Sequence, residues 1–177
     1  MEELSFKVIM IGPPAVGKSS LIRRFIEDKF TLAYKFTIGV DFSTKIIEYD
    51  SDKKARVTIW DIGGQDRFKI LRRNFYIGTH GALVVFDLTR AQTFSKMKDW
   101  VSDMNQLLEV KIPVVILGNK LDLISETGEV IDRNEPKDYA DRIGSIYIET
   151  SAKSGENVQK AFVDLIKLII ENSLKEI

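Results

Sequence analysis

The sequence predicts an α/β fold: a six-stranded, mostly parallel sheet with one antiparallel strand and helices on both faces. Three observations carry that expectation. Short continuous apolar runs, Ala82-Leu83-Val84-Val85-Phe86 and Val114-Val115-Ile116-Leu117, have the composition of central parallel strands covered on both sides. They alternate with segments of helical periodicity, the pattern of a doubly wound sheet. One adjacent pair of strand-like runs, Val40 to Tyr49 and Ala55 to Asp61, is joined by Asp50-Ser51-Asp52-Lys53-Lys54 and reads as a hairpin, which supplies the antiparallel edge.

The remaining elements follow in order. Phe6-Lys7-Val8-Ile9-Met10-Ile11 reads as a first strand ending at Gly12. A helix from Lys18 to about Asp28 carries Leu21, Ile22, Phe25 and Ile26 as an inner stripe. In the second hairpin strand Val57 and Ile59 point one way and Arg56, Thr58 and Trp60 the other, so Trp60 faces outward if the first pair is core. Helices are expected near Thr93 to Leu108, Pro136 to Ile143 and Val158 to Glu171, with Ile146-Tyr147-Ile148 as a short sixth strand. Neither repeats nor linkers interrupt the chain, and residues 1–177 read as one domain.

Composition sets bounds on function. The 177 residues are 44% hydrophobic and 29% charged, ordinary values for a soluble domain with a substantial core. Twenty-six basic residues balance 26 acidic ones, so no global field attracts nucleic acid or an anionic membrane, and neither partner is expected. Cysteine is absent, which excludes disulfides, thiolate metal sites and cysteine nucleophiles. No apolar run reaches the roughly 20 residues a bilayer span needs. Met1-Glu2-Glu3-Leu4 has neither a basic n-region nor Gly at position 2, and Leu174-Lys175-Glu176-Ile177 offers no cysteine for a prenyl group. The expectation is a cytoplasmic monomer that reaches membranes only through a lost tail or a partner.

Gly12-Pro13-Pro14-Ala15-Val16-Gly17-Lys18-Ser19 matches G-x-x-x-x-G-K-S/T between a strand and a helix. Glycines let the backbone wrap a polyphosphate with its N–H groups pointing inward. The following helix presents free donors and a positive dipole end to the anion. Lys18 adds a point charge for the terminal phosphates, and the Ser19 hydroxyl suits Mg²⁺. Asp61, at a strand end, is placed for an outer carboxylate on that metal. At the other end, Asn119-Lys120-Leu121-Asp122 follows a buried strand at the carboxyl edge, where open α/β sheets bind ligands. A carboxylate there can accept from both N1–H and N2–H₂ of guanine, a donor pair that adenine lacks.

With these motifs the chain resembles the Ras superfamily of small GTPases over nearly its whole length. The resemblance implies the P-loop small G protein fold, binding of GTP or GDP with Mg²⁺, and slow hydrolysis of GTP. It implies that Thr37, in Phe36-Thr37-Ile38-Gly39, closes on Mg²⁺ and the γ-phosphate, so that Ser19, Thr37 and Asp61 form the metal set. Gly64 and Gln65 fall on its DxxGQ element, and Ser151-Ala152-Lys153 on its SAK loop. Phe30 falls on the aromatic that packs against guanine and Tyr34 on the tyrosine that covers the phosphates. Lys18, Thr37 and Gln65 become the catalytic residues, with the backbone of Ala15, Val16, Gly17, Lys18, Ser19 and Ser20 as the phosphate cradle. Asn119, Lys120 and Asp122 hold the base.

Within the superfamily the chain is most similar to the Rab branch. Ile38-Gly39-Val40-Asp41-Phe42, Trp60-Asp61 and Arg67-Phe68 match Rab signatures, and Phe75 to Gly81 resembles Y-Y-R-G-A-H-G with departures at Phe75, Ile77 and Thr79. Gly63-Gly64-Gln65 instead has the form typical of Arf proteins. The resemblance implies that effectors, exchange factors and activators dock on residues 30–42, Trp60 and 62–76, with Phe42, Trp60 and Phe75 as an aromatic triad. His80, the single histidine, is expected to be structural. Arg23-Arg24 and Arg72-Arg73 read as solvated helix faces. Pro14 stands where Ras proteins have glycine; it lacks an N–H, and its ring takes up space that an activator's arginine would need. A small-molecule kinase would want an arginine-rich lid and no N-K-x-D, whereas a scaffold with negligible turnover would keep the same motifs.

Overall fold

A computed structural model describes residues 4–175, apart from the side chain of Phe68. That side chain, from the Rab-type Arg67-Phe68 pair, and the terminal residues Met1-Glu2-Glu3 and Glu176-Ile177 lie outside the described part. Six strands form one sheet: β1 (Leu4–Ile11), β2 (Val40–Asp50), β3 (Lys53–Ile62), β4 (Gly81–Asp87), β5 (Val114–Asn119) and β6 (Ile146–Glu149). Their spatial order is β2-β3-β1-β4-β5-β6, parallel throughout except for β2 against β3. Among the described residues six α-helices accompany them: α1 (Lys18–Glu27), α2 (Arg72–Tyr76), α3 (Ala91–Leu107), α4 (Ile124–Thr127), α5 (Asn134–Ile143) and α6 (Val158–Lys175).

The period-2 alternation of the strands builds two cores. Val8, Met10, Val57, Ile59, Leu83, Val85, Val115 and Leu117 face α1 and α6. Ile9, Ile11, Ala82, Val84, Phe86 and Ile116 face α3 and α5. In the first core Phe25 of α1 stacks on Phe162 of α6, ring centroids 3.8 Å apart and planes within 8°. The hairpin is tighter than its polar linker suggests, because Lys53 and Lys54 pair in β3 and Asp52 turns the chain at φ 62°. The short helices α2 and α4, and 3-10 turns at 66–71 and 121–123, had no periodic signature to predict them.

Two expectations are corrected. Arg72 is buried, not solvated: its guanidinium lies 3.5 Å from the Trp100 ring centroid and Nη1 donates to Asp103 at 3.3 Å. Arg24 is mostly covered and donates to the carbonyls of Ala152 and Lys153 at 2.9 and 2.6 Å, joining α1 to the loop after β6. Arg23 and Arg73 are exposed as expected. Trp60 does lie on the face opposite Val57 and Ile59, but it is half-covered by Phe42, Phe75 and the Lys7 ammonium. His80 has the expected structural place, with Nδ1 accepting from the Lys7 N–H at 3.0 Å and its ring edge-on to Phe6.

The register puts the chemistry on one edge. Met10 pairs with Asp61, and Asp87 with Asn119, at the carboxyl ends of neighbouring strands, so the loop that begins at Gly12 sits between both carboxylates. Because Phe162 is buried and stacked, Phe162→Ala should cost about 3–5 kcal/mol through its cavity. In thermal melting at fixed nucleotide concentration, a fall of about 10 °C is expected.

Candidate functional site

The site grows from the loop between β1 and α1. Gly17 caps α1 at φ 98°, and a Cβ on it would stand 2.3 Å from Asn119 Nδ2. Only glycine fits both the dihedral and the gap. Asn119 is itself buried: Nδ2 donates to the Val16 carbonyl at 2.9 Å, while Oδ1 accepts from Thr150 Oγ1 at 3.1 Å and from the Ala152 N–H at 3.3 Å. Its side chain therefore braces the phosphate loop against the loop after β6.

Lys120 follows in the left-handed region, φ 68°, and sends Nζ back to the Ala15 carbonyl at 3.0 Å and Asp87 Oδ2 at 2.9 Å. Asp122 accepts from Ser151 Oγ at 2.7 Å, which orients its carboxylate, and Ser154 N–H in turn donates to Ser151 Oγ. The Ala152 N–H is occupied by Asn119, and Lys153 is exposed. Asn119 is thus bonded to Ala152 and Asp122 to Ser151, while Lys120 turns to Ala15 and Asp87.

At the phosphate end Lys18 is buried with Nζ on the carbonyls of Gly12 at 2.9 Å and Pro13 at 2.8 Å. Burial pushes its ammonium down to about 8, against the pull of Asp61. Ser19 Oγ donates to Asp61 Oδ2 and lies 2.8 Å from Thr37 Oγ1, which is 3.3 Å from the same carboxylate oxygen. Burial pushes the Asp61 carboxyl up, and the bonds from Ser19 and Thr37 and the charge of Lys18 oppose it. Asp61 Oδ1 is buried without any hydrogen-bond partner. Two hydroxyls and a carboxylate with a free oxygen form an all-oxygen donor set that fits Mg²⁺ completed by phosphates and water. Among the described residues no group of three His, Cys, Asp or Glu could hold a metal by itself.

The flanking loops close over this end. The Gly63 N–H donates to the Gly39 carbonyl at 2.8 Å, pinning the Thr37 segment to the end of β3. Gly64 presses on the phosphate loop so closely that a Cβ would lie 2.6–2.8 Å from backbone atoms of Gly12, Pro13 and Pro14. Tyr34 is exposed and edge-on to Phe36, and partial burial raises its hydroxyl against the opposing influence of Arg90 and the Ala15 N–H. Gln65 is half-buried and makes no side-chain hydrogen bond among the described residues. Ser20 is half-buried, and Phe30 packs on the α1 side of the core beside Arg23, Glu27, Lys29 and Thr31. Leu32, Phe36, Ile38, Ile70 and Leu71 on the two flanking segments, and Phe42 at the start of β2, are exposed apolar side chains.

Sequence reasoning missed Asp87 and Arg90, named Thr150 only as the first residue of the Thr150-Ser151-Ala152-Lys153 motif, and took Arg24 for a solvated residue. Asp87 is 1% exposed and accepts from the Thr89 N–H and hydroxyl, Arg90 Nε and Lys120 Nζ. Burial raises its carboxyl, but the bonds from Thr89 and Lys120 outweigh that and hold it below the usual range. An acidic residue ending an apolar strand beside the N-K-x-D strand was the available signal.

The sequence model of the Ras family matches residues 7–171. Over 171 residues the chain is 40% identical to a protein of Arabidopsis thaliana described as Ras-related protein RABA5b, which covers 97% of this chain and 77% of that relative.

Truncating the Asn119 brace leaves the Val16 carbonyl, the Thr150 hydroxyl and the Ala152 N–H without partners in a buried place. Asn119→Ala should therefore cost about 2–4 kcal/mol, read as a lower urea midpoint at unchanged slope.

Proposed function

The chain belongs to the Ras family as a Rab-like GTPase, a switch governed by bound guanine nucleotide, and from that premise we propose how its own residues do the work. Residues 1–177 form a single G domain with the nucleotide along the carboxyl edge of the sheet. Asp122 accepts from guanine, with Phe30 and Lys120 flanking the base and Ser151-Ala152-Lys153 behind it. The N–H groups of Ala15 to Ser20 cradle the phosphates, and Tyr34 covers them. Ser19 and Thr37 would hold Mg²⁺, with Asp61 as the outer carboxylate. When bound, the ion neutralises charge on the β- and γ-phosphates.

The observation that carries this reading is the meeting of Ser19, Thr37 and Asp61 beside buried Lys18, with Asp61 Oδ1 left free. Three segments far apart in sequence have little other reason to bury a lysine and an incompletely bonded carboxylate together. In hydrolysis the Gln65 side chain and the Thr37 carbonyl orient the attacking water, and Lys18 stabilises charge on the transferred group. Loss of the γ-phosphate removes the reason for Thr37 and Gly64 to stay closed, and residues 30–42 and 62–76 relax. Their exposed apolar side chains, with Phe42, Trp60 and Phe75, then present a different surface to effectors, exchange factors and activators. The switch serves membrane traffic from the cytoplasm, as a monomer. No helix among the described residues is long and apolar enough to cross a membrane.

The nucleotide copurifying with the protein should be GDP; an adenine nucleotide or none would remove the pocket assignment. In single-turnover assays Gln65→Leu should slow phosphate release at least tenfold. Equal rates would remove Gln65 from the mechanism, and a parent that releases no phosphate would favour a GTP-loaded scaffold. Pro14→Gly should respond more strongly than the parent to an activator that supplies an arginine, measured as the ratio of stimulated to basal turnover.

A further inference from the structure

Ala15 is one of the few non-glycine residues with positive φ, at 62°, in the middle of the phosphate loop. A side chain with a Cβ avoids that region unless neighbours hold it there. Its carbonyl is held by two cations. Arg90 Nη2 donates to it at 2.8 Å and Lys120 Nζ at 3.0 Å. The same Arg90 nitrogen lies 3.3 Å from the Pro14 carbonyl, while Nε donates to Asp87 Oδ2 at 3.0 Å. Asp87 is fixed in turn by Thr89 and is nearly inaccessible to solvent. Arg90 therefore spans a rigid carboxylate through Nε and two successive carbonyls of the loop through Nη2, and its planar guanidinium fixes the separation between the two attachments.

We propose that Arg90 is a positioning residue: it clasps the Pro14 and Ala15 carbonyls from outside and so keeps Ala15 in the left-handed turn that aims the loop's N–H groups at the phosphates. The need follows from the loop's own residues. Pro14 contributes no N–H to the cradle, so the donors from Ala15 onward carry more of the phosphate binding. With alanine rather than glycine at 15, the turn does not form at no cost. Lys120 alone restrains the Ala15 carbonyl but does not reach that of Pro14 among the described contacts. Arg90 acts through the loop and is assigned no contact with the phosphates.

This role rests on the nucleotide-binding reading, and the experiment separates the two. Release of a fluorescent GDP analogue and hydrogen–deuterium exchange of the peptide over residues 12–20 are measured on the full chain. The variants are Arg90→Ala, Arg90→Lys, Ala15→Gly and the Ala15→Gly/Arg90→Ala double variant. Arg90→Ala should release GDP about tenfold faster, the scale of losing a charge-assisted hydrogen bond, and should speed exchange in that peptide more than elsewhere. Arg90→Lys should recover less than half of the effect. With Gly at 15 the turn is free of strain, so removal of Arg90 should then change release by less than threefold. An Arg90→Ala release rate equal to the parent's, an effect independent of residue 15, full recovery by lysine, or exchange that rises evenly across the chain would overturn the clasp. If the parent binds no guanine nucleotide, the functional reading fails, and local exchange at 12–20 still decides for or against the clasp.

Discussion

A loop that offers its N–H groups to an anion must turn its carbonyls the other way, and each then needs a donor. In this protein the need is met residue by residue. Lys18 takes the carbonyls of Gly12 and Pro13, Arg90 those of Pro14 and Ala15, Lys120 shares Ala15, and Asn119 takes Val16. The Gly17 carbonyl accepts from the Leu21 N–H and starts α1. The donors come from three segments: the helix that the loop opens, the end of β5 with the residue after it, and the turn after β4. The loop's shape thus depends on the sheet being registered correctly, and the rest of the site depends on the loop.

Most of these donors are cations, which does more than satisfy acceptors. Lys18, Arg90 and Lys120 put positive charge around the segment proposed to face phosphates, and Asp61 and Asp87 oppose it locally. Asp87 is spent on Arg90 and Lys120, and it stays ionised because burial is outweighed by the donors around it. The chain as a whole carries no net charge, so the attraction for an anion is local and comes from arrangement rather than composition. The base end and the phosphate end are also one mechanical unit. Asn119 joins Val16 to Ala152, and Arg24 joins α1 to the carbonyls of Ala152 and Lys153.

What could be read from the sequence follows from how locally each feature is encoded. The strands were legible because a strand buried on both faces needs an unbroken apolar run, as at 82–86 and 114–117. Gly12 to Ser19 and Asn119 to Asp122 were legible because their chemistry lies within eight and four consecutive residues. Thr37 was out of reach of spacing alone, since its partner hydroxyl is 18 residues away on another segment; family resemblance supplied it. Arg90 and Asp87 were invisible for a related reason: Arg90 meets Ala15 only because β1 and β4 are neighbours, across 75 residues. Arg72 was misread because a pair of arginines in a helical stretch carries no sign of a tryptophan 28 positions on.

Arg72 also bears on where switching can occur. The segment from Gly63 through the 3-10 turn touches the rest of the molecule near Gly39 and the phosphate loop, and exposes Ile70 and Leu71 to solvent. At Arg72 the character of the chain changes: the side chain is buried over Trp100 and bonded to Asp103, and Tyr76 four residues later is fully covered. Its Nε and Nη2 lack hydrogen-bond partners, and Asp66 stands 3.9 Å from Nη2, so the cation looks back toward the loop that it terminates. A buried, incompletely bonded arginine costs free energy unless position repays it. Here it fastens the far end of the second loop to α3, so the contacts around Gly64 and the anchor at Arg72 bound residues 63–71 from both sides, beside the aromatic surface that Phe75 of α2 shares with Trp60.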